Sequence, residues 1–449
     1  MGKELFGTDG IRGKAGAYPL DPATVYACGR ALGDLLGGKG RALLGMDTRE
    51  SGAQIAGYLA AGLEDKGVQT VLAGVLPTPG VSFLTARGDF NLGVMISASH
   101  NPYEDNGIKV FGPQGFKLPD DKEHVVEQNM LNQLKAGVTP RSAALAVDTA
   151  LAQEYIDHLI QAGAPAGQLK KLRLIVDCSQ GAASQFAAAF FEALGMDAEV
   201  CFNEPNGRNI NLGCGSLHLD KLRQRVLDDG ADLGVAFDGD ADRALFIADD
   251  GAEVDGDAVL LLAGELLKAQ GRLPGDRVVT TIMANMGLEK ALKDRGIAMV
   301  RTQVGDKYVL EEMLASDSAV GGEQSGHVIF KQFANTGDGM LTARMVLEIL
   351  SASGAPLSEL RKKLVVFPQK LVNVKVSRKP PIADEPRIAA AIAAAEQELG
   401  DRGRIVVRYS GTEQLARVMV EAESQEDVER YCSEISAVFE RELGVNGAG

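Results

Sequence analysis

The sequence predicts an α/β protein with three similar mixed α/β domains and a smaller C-terminal α+β domain, arranged around a central cleft. Three observations predict it. Apolar, β-rich runs alternate with Ala/Leu-rich segments of helical period over most of the length, the pattern of βα units that build mainly parallel sheets. A short outline recurs: Gly-Asp-Phe-Asn-Leu-Gly-Val at 88–94 is similar to Gly-Ala-Asp-Leu-Gly-Val at 230–235, and 319–323 has a looser version. Each copy runs from a strand straight into a polar loop. The last stretch changes character, with strands around one long helix and a second helix at the end.

Taken in order, a helix enters at Asp21-Pro22, a capping carboxylate followed by a first-turn proline. Residues 41–46 read as a strand, 51–66 as a helix, and 68–73 and 91–97 as strands. A second set begins with a strand at 172–177, followed by an Ala-rich helix over 182–194 and a strand at 198–202. In the third set, strands at 278–282, 297–301 and 319–320 alternate with helices at 286–295 and 307–315. Strands at 370–376, 404–407 and 416–421 and a helix over 426–443 make up the last part. The expected domains are 1–150, 151–254, 255–367 and 368–449, with linkers near Phe367-Pro368 and around 251–256. In open α/β sheets ligands gather at the carboxyl ends of strands, so each domain would offer one loaded loop to a shared cleft.

Composition narrows the function classes. Among 449 residues, 46 Lys and Arg face 61 Asp and Glu, a net charge of -15, so no nucleic-acid or anionic-membrane partner is expected. An anionic ligand must therefore meet a local basic pocket. Five cysteines, scattered and never closely paired, suggest neither a disulfide framework nor a zinc site. The start lacks an apolar signal core, and the longest apolar run, 258–264, is bounded by Asp257 and Glu265. A cytoplasmic protein without a membrane segment is expected.

Four loops carry the chemistry. Ser97-Ala98-Ser99-His100-Asn101-Pro102 follows an apolar strand, and Lys109 lies on the next one. A serine beside a histidine suggests nucleophilic catalysis, but the Gly-x-Ser-x-Gly elbow of a hydrolase is absent. The remaining readings are a phosphoryl carrier, favoured beside His, Lys and metal, and an ordinary Ser/Asn-Pro turn. Asp238-Gly239-Asp240-Ala241-Asp242-Arg243 places three carboxylates at alternate positions, with small residues between them to permit the bend. Such a set can point oxygens at one hard cation, and with room left for water and a phosphate oxygen it suits Mg2+. An EF-hand would want Gly where Arg243 stands and Glu where Asp249 stands. The bland alternative is a solvated acidic turn.

Gly322-Glu323-Gln324-Ser325-Gly326-His327 offers Glu323 and Ser325 to sugar hydroxyls and His327 for proton transfer, although a Gly-rich turn with a structural histidine is common. Arg408-Tyr409-Ser410-Gly411-Thr412-Glu413, with Arg417 on the following strand, supplies fork donors, hydroxyls and free amides for a phosphate monoester but no catalytic base. The choice there is between a docking loop for a phosphate that does not react and a plain hairpin turn.

These four loops, together with Phe6-Gly7-Thr8-Asp9-Gly10-Ile11-Arg12-Gly13, resemble the α-D-phosphohexomutase superfamily over nearly the full chain. Gln324, Val304-Gly305-Asp306 and Thr336-Gly337-Asp338-Gly339 are similar to its amino-sugar branch; Met at 324 would mark the mannose and glucose branch. The resemblance implies that Ser99 is the phosphorylated serine, that Asp238, Asp240 and Asp242 hold Mg2+ with phosphorylated Ser99, and that Glu323 and Ser325 contact sugar hydroxyls. It also implies phosphate binding by Arg408, Ser410, Gly411 and Thr412, with Arg417 nearby, although Gln414 stands where the family commonly has Pro. Arg12, His100 and Lys109 would balance the phosphoserine, and Lys109 and His327 are candidates for moving the proton.

The implied activity interconverts glucosamine 6-phosphate and glucosamine 1-phosphate through a bisphosphorylated sugar, feeding UDP-N-acetylglucosamine and cell-wall precursor synthesis, with sugar 1,6-bisphosphate priming Ser99. Glucose or mannose phosphates are the nearest alternative substrates, and a non-catalytic phosphosugar sensor is the alternative of another class. The expected partner is a small hexosamine phosphate, with a homodimer left open.

Overall fold

The computed structural model describes residues 4–7, 9–410 and 413–445. They form two compact units. One contains the chain up to Met283 together with Arg295–Lys363, and the other contains Ala284–Asp294 and the chain from Leu364 onward.

The first unit holds three sheets. In the first, β1 (Phe6–Gly7), β2 (Gly10–Lys14), β3 (Arg41–Met46), β4 (Gln69–Val75), β5 (Leu92–Ile96) and β6 (Asp105–Phe111) lie in the order β1-β2-β6-β5-β3-β4. The second comprises β7 (Arg173–Asp177), β8 (Asp197–Cys201), β9 (Leu233–Phe237), β10 (Ala244–Ala248) and β11 (Glu253–Val254), in the order β11-β10-β9-β7-β8. In the third, β12 (Arg277–Thr281), β13 (Ala298–Thr302), β14 (Val320–Gly322) and β15 (Val328–Phe330) run β13-β12-β14-β15.

These sheets are mixed rather than mainly parallel, and all three are mixed in the same way. A parallel core, β3 with β4 and β5, β7 with β8 and β9, β12 with β13 and β14, is followed by an antiparallel return strand: β6 on β5, β10 on β9, β15 on β14. The recurrent sequence outline marks the last parallel strand of each sheet. The loop that turns the chain back carries the polar residues, at 97–104, 238–243 and 323–327. Both β5 and β9 are buried throughout, so continuous apolar runs rather than alternating ones specify them.

Helix signals read from sequence have a local cause. Asp21 accepts the N–H groups of Ala23 and Thr24 at 3.1 and 3.2 Å and starts helix Pro22–Leu35. The helix expected over 182–194 is shorter, Ala187–Ala193. Ala content favours helix, but residues 179–181 are committed elsewhere: Ser179 and Gln180 take φ of 58° and 52°, and the Ala182 N–H is drawn to the Gly239 carbonyl. Tertiary contact therefore overrides propensity. The apolar run at 258–264 lies within helix Gly256–Ala269, whose residues Gly256–Gly264 are all buried. Among the described residues no helix is long and apolar enough to cross a membrane.

The second unit is built on an antiparallel sheet of β16 (Gln369–Lys375), β17 (Gly403–Tyr409) and β18 (Leu415–Ala422), in the order β16-β18-β17, covered by helices Pro386–Leu399 and Gln425–Leu443. Phe367 is anchored rather than free as a linker residue. Its N–H and carbonyl bond to the Asn285 side chain, at 2.9 and 3.0 Å.

Candidate active site

Ser99 turns the chain at the end of β5 with φ 51°, a left-handed conformation uncommon for a residue with a Cβ, and it is almost fully buried. Its carbonyl is clamped by two donors, the Arg49 guanidinium at 2.8 Å and the Asn211 side-chain amide at 2.9 Å. Arg49 also donates to the carbonyls of Asn101, Pro102 and Asp105, and it is fixed in turn by Asp47 at 2.8 Å, with both side chains fully buried. Asp47 further accepts the Ser97 hydroxyl at 2.6 Å, and the Ser97 oxygen accepts the Ser99 N–H at 2.9 Å. One buried ion pair thus sets the shape of the whole serine loop. A planar fork with five donors suits this task where an ammonium would not.

The Ser99 hydroxyl lies 3.2 Å from His100 Nδ1 and donates to Asp238 Oδ2 at 2.5 Å. The two loops meet at backbone level: a Cβ on Gly239 would stand 2.4 Å from the Ser99 carbonyl oxygen. Gly239 therefore serves close approach, whereas the bend falls on Ala241, at φ 53°. Asp238, Asp240 and Asp242 are buried, and each offers an oxygen within 4.8 Å of the others. Asp240 accepts Thr78 Oγ1 at 2.5 Å and Lys109 Nζ at 2.9 Å, and Lys109 also reaches Asp242 at 3.3 Å.

Burial, reinforced by the Asp242 and Asp240 carboxylates, pushes Asp238 well above the usual carboxylate range. Burial acts the same way on Asp240, but Lys109 and the Thr78 hydroxyl outweigh it and hold this carboxyl low. Two buried oxygens, Asp240 Oδ1 and Asp242 Oδ1, have no hydrogen-bond donor among the described residues, with Arg243 Nε 3.7 Å from the latter. Hard anionic oxygens converging without donors fit a divalent cation such as Mg2+, since burying them otherwise is costly.

Lys109 is buried at the hub of the cluster. Burial would lower its pKa, but Asp240, Asp9 and Asp242 raise it well above the usual value and favour the charged ammonium. Arg12 pairs with Asp9 at 2.5 Å and approaches the Ala98 carbonyl at 3.4 Å. Burial, with Arg243 and Arg12 nearby, lowers the His100 pKa and favours the neutral imidazole.

On the third loop, Glu323 accepts the Gly305 N–H at 3.1 Å, and the Ser325 hydroxyl is buried without a partner. Gln324 points elsewhere, its amide donating to Asp255 at 3.0 Å. The loop sits against the start of helix Gly256–Ala269 so closely that a Cβ on Gly256 would lie 2.0 Å from the Glu323 carbonyl oxygen. Gln324→Met is therefore expected to lower the urea midpoint by the equivalent of about 1–3 kcal/mol, because Asp255 loses a donor. Ser325→Ala, which removes only an unpartnered hydroxyl, should leave the midpoint in place and raise KM. His327 is buried and accepts the Gly337 N–H on Nε2 at 3.2 Å, with Asp306 3.6 Å away, and its Nδ1 has no partner.

In the second unit, Arg408 and Arg417 face each other across the β17–β18 ladder. Like charges directly opposite destabilise a sheet unless an anion lies between them. Glu413 reaches Arg417 only at 3.5 Å, while Ser410 Oγ accepts the Glu413 N–H and the Ser410 carbonyl accepts Lys379 Nζ at 2.7 Å. The Gln414 carbonyl ties the loop to the residue after β16 by accepting the Val376 N–H at 3.0 Å. Gly411 and Thr412 lie outside the described residues.

The first unit thus gathers Ser99, His100, Arg12, Lys109 and the three aspartates into one connected network. Glu323, Ser325 and His327 stand on the next loop, and Arg408, Ser410 and Arg417 belong to the other unit. Sequence reasoning passed over Asp47, Arg49, Thr78, Asn211 and Lys379, and named Asp9 only as part of the opening motif. Asp47-Thr48-Arg49 did carry a signal, being a polar turn directly after the apolar strand β3.

Four domain models of phosphoglucomutase/phosphomannomutase match in order: the alpha/beta/alpha domains I, II and III at residues 3–136, 153–251 and 255–366, and the C-terminal domain at 371–438. The chain belongs to the phosphoglucomutase/phosphomannomutase family, the α-D-phosphohexomutases. A protein of that fold from Burkholderia thailandensis superposes with a TM-score of 0.79 at 24% identity, covering 99% of this chain and 98% of that one. Within the family the chain is similar to the phosphoglucosamine mutases. It is 52% identical to the one from Solibacter usitatus, over 99% of this chain and 100% of the relative, and 50% identical to that of Koribacter versatilis, over 99% and 98%.

Proposed function

We propose that this protein interconverts glucosamine 6-phosphate and glucosamine 1-phosphate, carrying the phosphoryl group on Ser99, and so supplies the amino-sugar precursor of UDP-N-acetylglucosamine. The observation that carries this reading is Ser99 held in a strained turn, its hydroxyl 2.5 Å from a buried, donor-poor aspartate cluster, in a chain about half identical to phosphoglucosamine mutases. Sugar 1,6-bisphosphate primes the serine. In the forward half-reaction the Ser99 Oγ–P bond breaks as a sugar hydroxyl oxygen bonds to phosphorus, giving a bisphosphorylated sugar. After the sugar reorients, Ser99 Oγ takes the other phosphate. When the serine is free, its proton lies between two neighbours, Asp238, which accepts the hydroxyl at 2.5 Å, and His100, whose Nδ1 is 3.2 Å away.

Phosphorylation of Ser99 adds roughly -1.5 to -2 charges beside three carboxylates. Asp238, Asp240 and Asp242 would hold Mg2+, which when bound neutralises charge on the transferring phosphoryl group. Lys109 and Arg12 supply fixed positive charge from the other side, and Arg49 with Asn211 keeps the serine backbone in place. Glu323 and Ser325 orient the sugar. Arg408, Ser410, Gly411, Thr412 and Arg417 dock the phosphate that does not react.

Asp242→Asn should lower kcat by on the order of 10²-fold or more and leave KM within a few-fold, since the carboxylate acts on charge that develops in the transition state. Five cysteines scattered along the sequence without close pairing suit a reducing cytoplasm as the place of action. The deciding test compares turnover of glucosamine, glucose and mannose 1-phosphates by the same preparation. A clear preference for the amino sugar is expected, and equal or faster turnover of glucose phosphate overturns the substrate assignment.

A further inference from the structure

An unbroken chain of alternating charges crosses the first unit. It begins at the metal loop, where Asp240 and Asp242 hold Lys109, and passes from Lys109 to Asp9 at 3.3 Å. Asp9 pairs with Lys117, and Lys117 with Asp306 at 2.5 Å. Asp306 lies 3.6 Å from Nε2 of His327. The chain therefore starts on the second sheet's loop, runs through residues of the first sheet's domain and ends on the third sheet's loop. A second ion pair crosses the same seam with the charges exchanged, Lys307 on Asp120 at 2.8 Å. The Lys117 side chain is only 16% exposed, so its two carboxylates are coupled in a poorly hydrated setting where the loss of one partner is felt.

Asp306 opens helix Asp306–Ala315, and the N–H of the preceding Gly305 is the group that holds Glu323. Whatever fixes Asp306 also fixes the donor to Glu323 and the carboxylate that faces His327. We infer that the Lys117–Asp306 pair is a positioning device that sets the sugar-reading loop, Glu323 to His327, against the phosphoserine and metal loops, so that phosphoryl transfer goes to the sugar rather than to water. Neither residue touches Ser99 in the structure. Lys117 acts through Asp9 and Lys109 on one side and through Asp306 on the other. This inference rests on the mutase reading above.

The test uses the full-length protein with labelled phosphate on Ser99. Single-turnover loss of the label is followed with and without saturating glucosamine 1-phosphate, giving the ratio of transfer to sugar over transfer to water, alongside steady-state KM and kcat. Lys117→Met should raise KM and lower kcat/KM by on the order of 10²-fold, because displacement of the sugar loop by about an ångström costs that much. The sugar-to-water ratio should fall with it, and Lys117→Arg, which keeps the charge, should recover most of it. Should Lys117→Met fail to fold, Asp306→Asn, which keeps the side-chain shape, carries the same readout.

A wild-type ratio in Lys117→Met or Asp306→Asn overturns the inference, as does Lys117→Arg falling as far as Lys117→Met. If the unsubstituted protein does not turn over glucosamine phosphate, the mutase reading falls on its own. The pair is then judged from urea midpoints of Lys117→Met, Asp306→Asn and the double variant, where strictly additive shifts overturn the coupling.

Discussion

Ser99→Ala is expected to abolish turnover, with a loss in kcat on the order of 10⁴-fold or more, because no other hydroxyl occupies the position that receives the phosphoryl group. The substitution should fold. Ser99 Oγ touches only Asp238 and His100, and its loop is held by backbone carbonyls that alanine retains. Intact-mass measurement after incubation with glucose 1,6-bisphosphate separates this from indirect effects. The unsubstituted chain should gain one phosphate-sized increment and the variant none. A phosphate increment that survives in Ser99→Ala would place the carrier at another residue.

Arg49→Leu should be the most damaging single change outside the reacting groups. It leaves the fully buried Asp47 without its partner and frees the carbonyls of Ser99, Asn101, Pro102 and Asp105 from their shared donor. Breaking a buried pair from one side costs about 3–5 kcal/mol. The expected result is a urea midpoint lowered by that equivalent, with kcat falling by on the order of 10²-fold as the serine loses its aim. Arg49→Lys should recover little of either, since one ammonium cannot span four carbonyls and a carboxylate. Adding Asp47→Asn to Arg49→Leu should restore part of the stability by removing the uncompensated charge. If Arg49→Lys matched the unsubstituted protein in both measurements, the guanidinium fork would not be what shapes the loop.

Ser99 and Arg49 differ in how plainly the sequence marks them. Ser99 and the Asp238, Asp240, Asp242 set were legible because strand and loop are contiguous, and a buried apolar run that ends in charged residues is conspicuous. The same holds for β5, β9 and β14, whose shared outline gave the repeat of domains. What the sequence did not display was pairing across distance. Asn211 comes from a long irregular stretch and means nothing until it donates to Ser99, and Thr78 draws no reading until its hydroxyl meets Asp240. Lys117 draws no reading at all, and Asp306 enters only as the end of the Val304-Gly305-Asp306 motif, because the pair joins two domains far apart in sequence. The helix expected from Ala182 onward failed for the same reason, its first turn being taken by the approach to Gly239. Gln324 was informative as a marker of one branch of the family, but its side chain is turned to Asp255 and away from the role of its neighbours.

The way the chain is divided between its two units has a consequence for biosynthesis. Ala284–Asp294 packs with the chain beyond Leu364, although it is translated between β12 and β13 of the first unit. The Asn285 side chain closes on the backbone of Phe367, and the Met286 N–H on Glu421, so this segment emerges from the ribosome before its partners exist. Domains usually complete themselves from the N-terminus as they are made. Here the segment 284–294 must wait until the end of translation to meet Phe367 and Glu421, so a nascent chain stalled before β18 would carry the Met286 N–H without the carboxylate that accepts it.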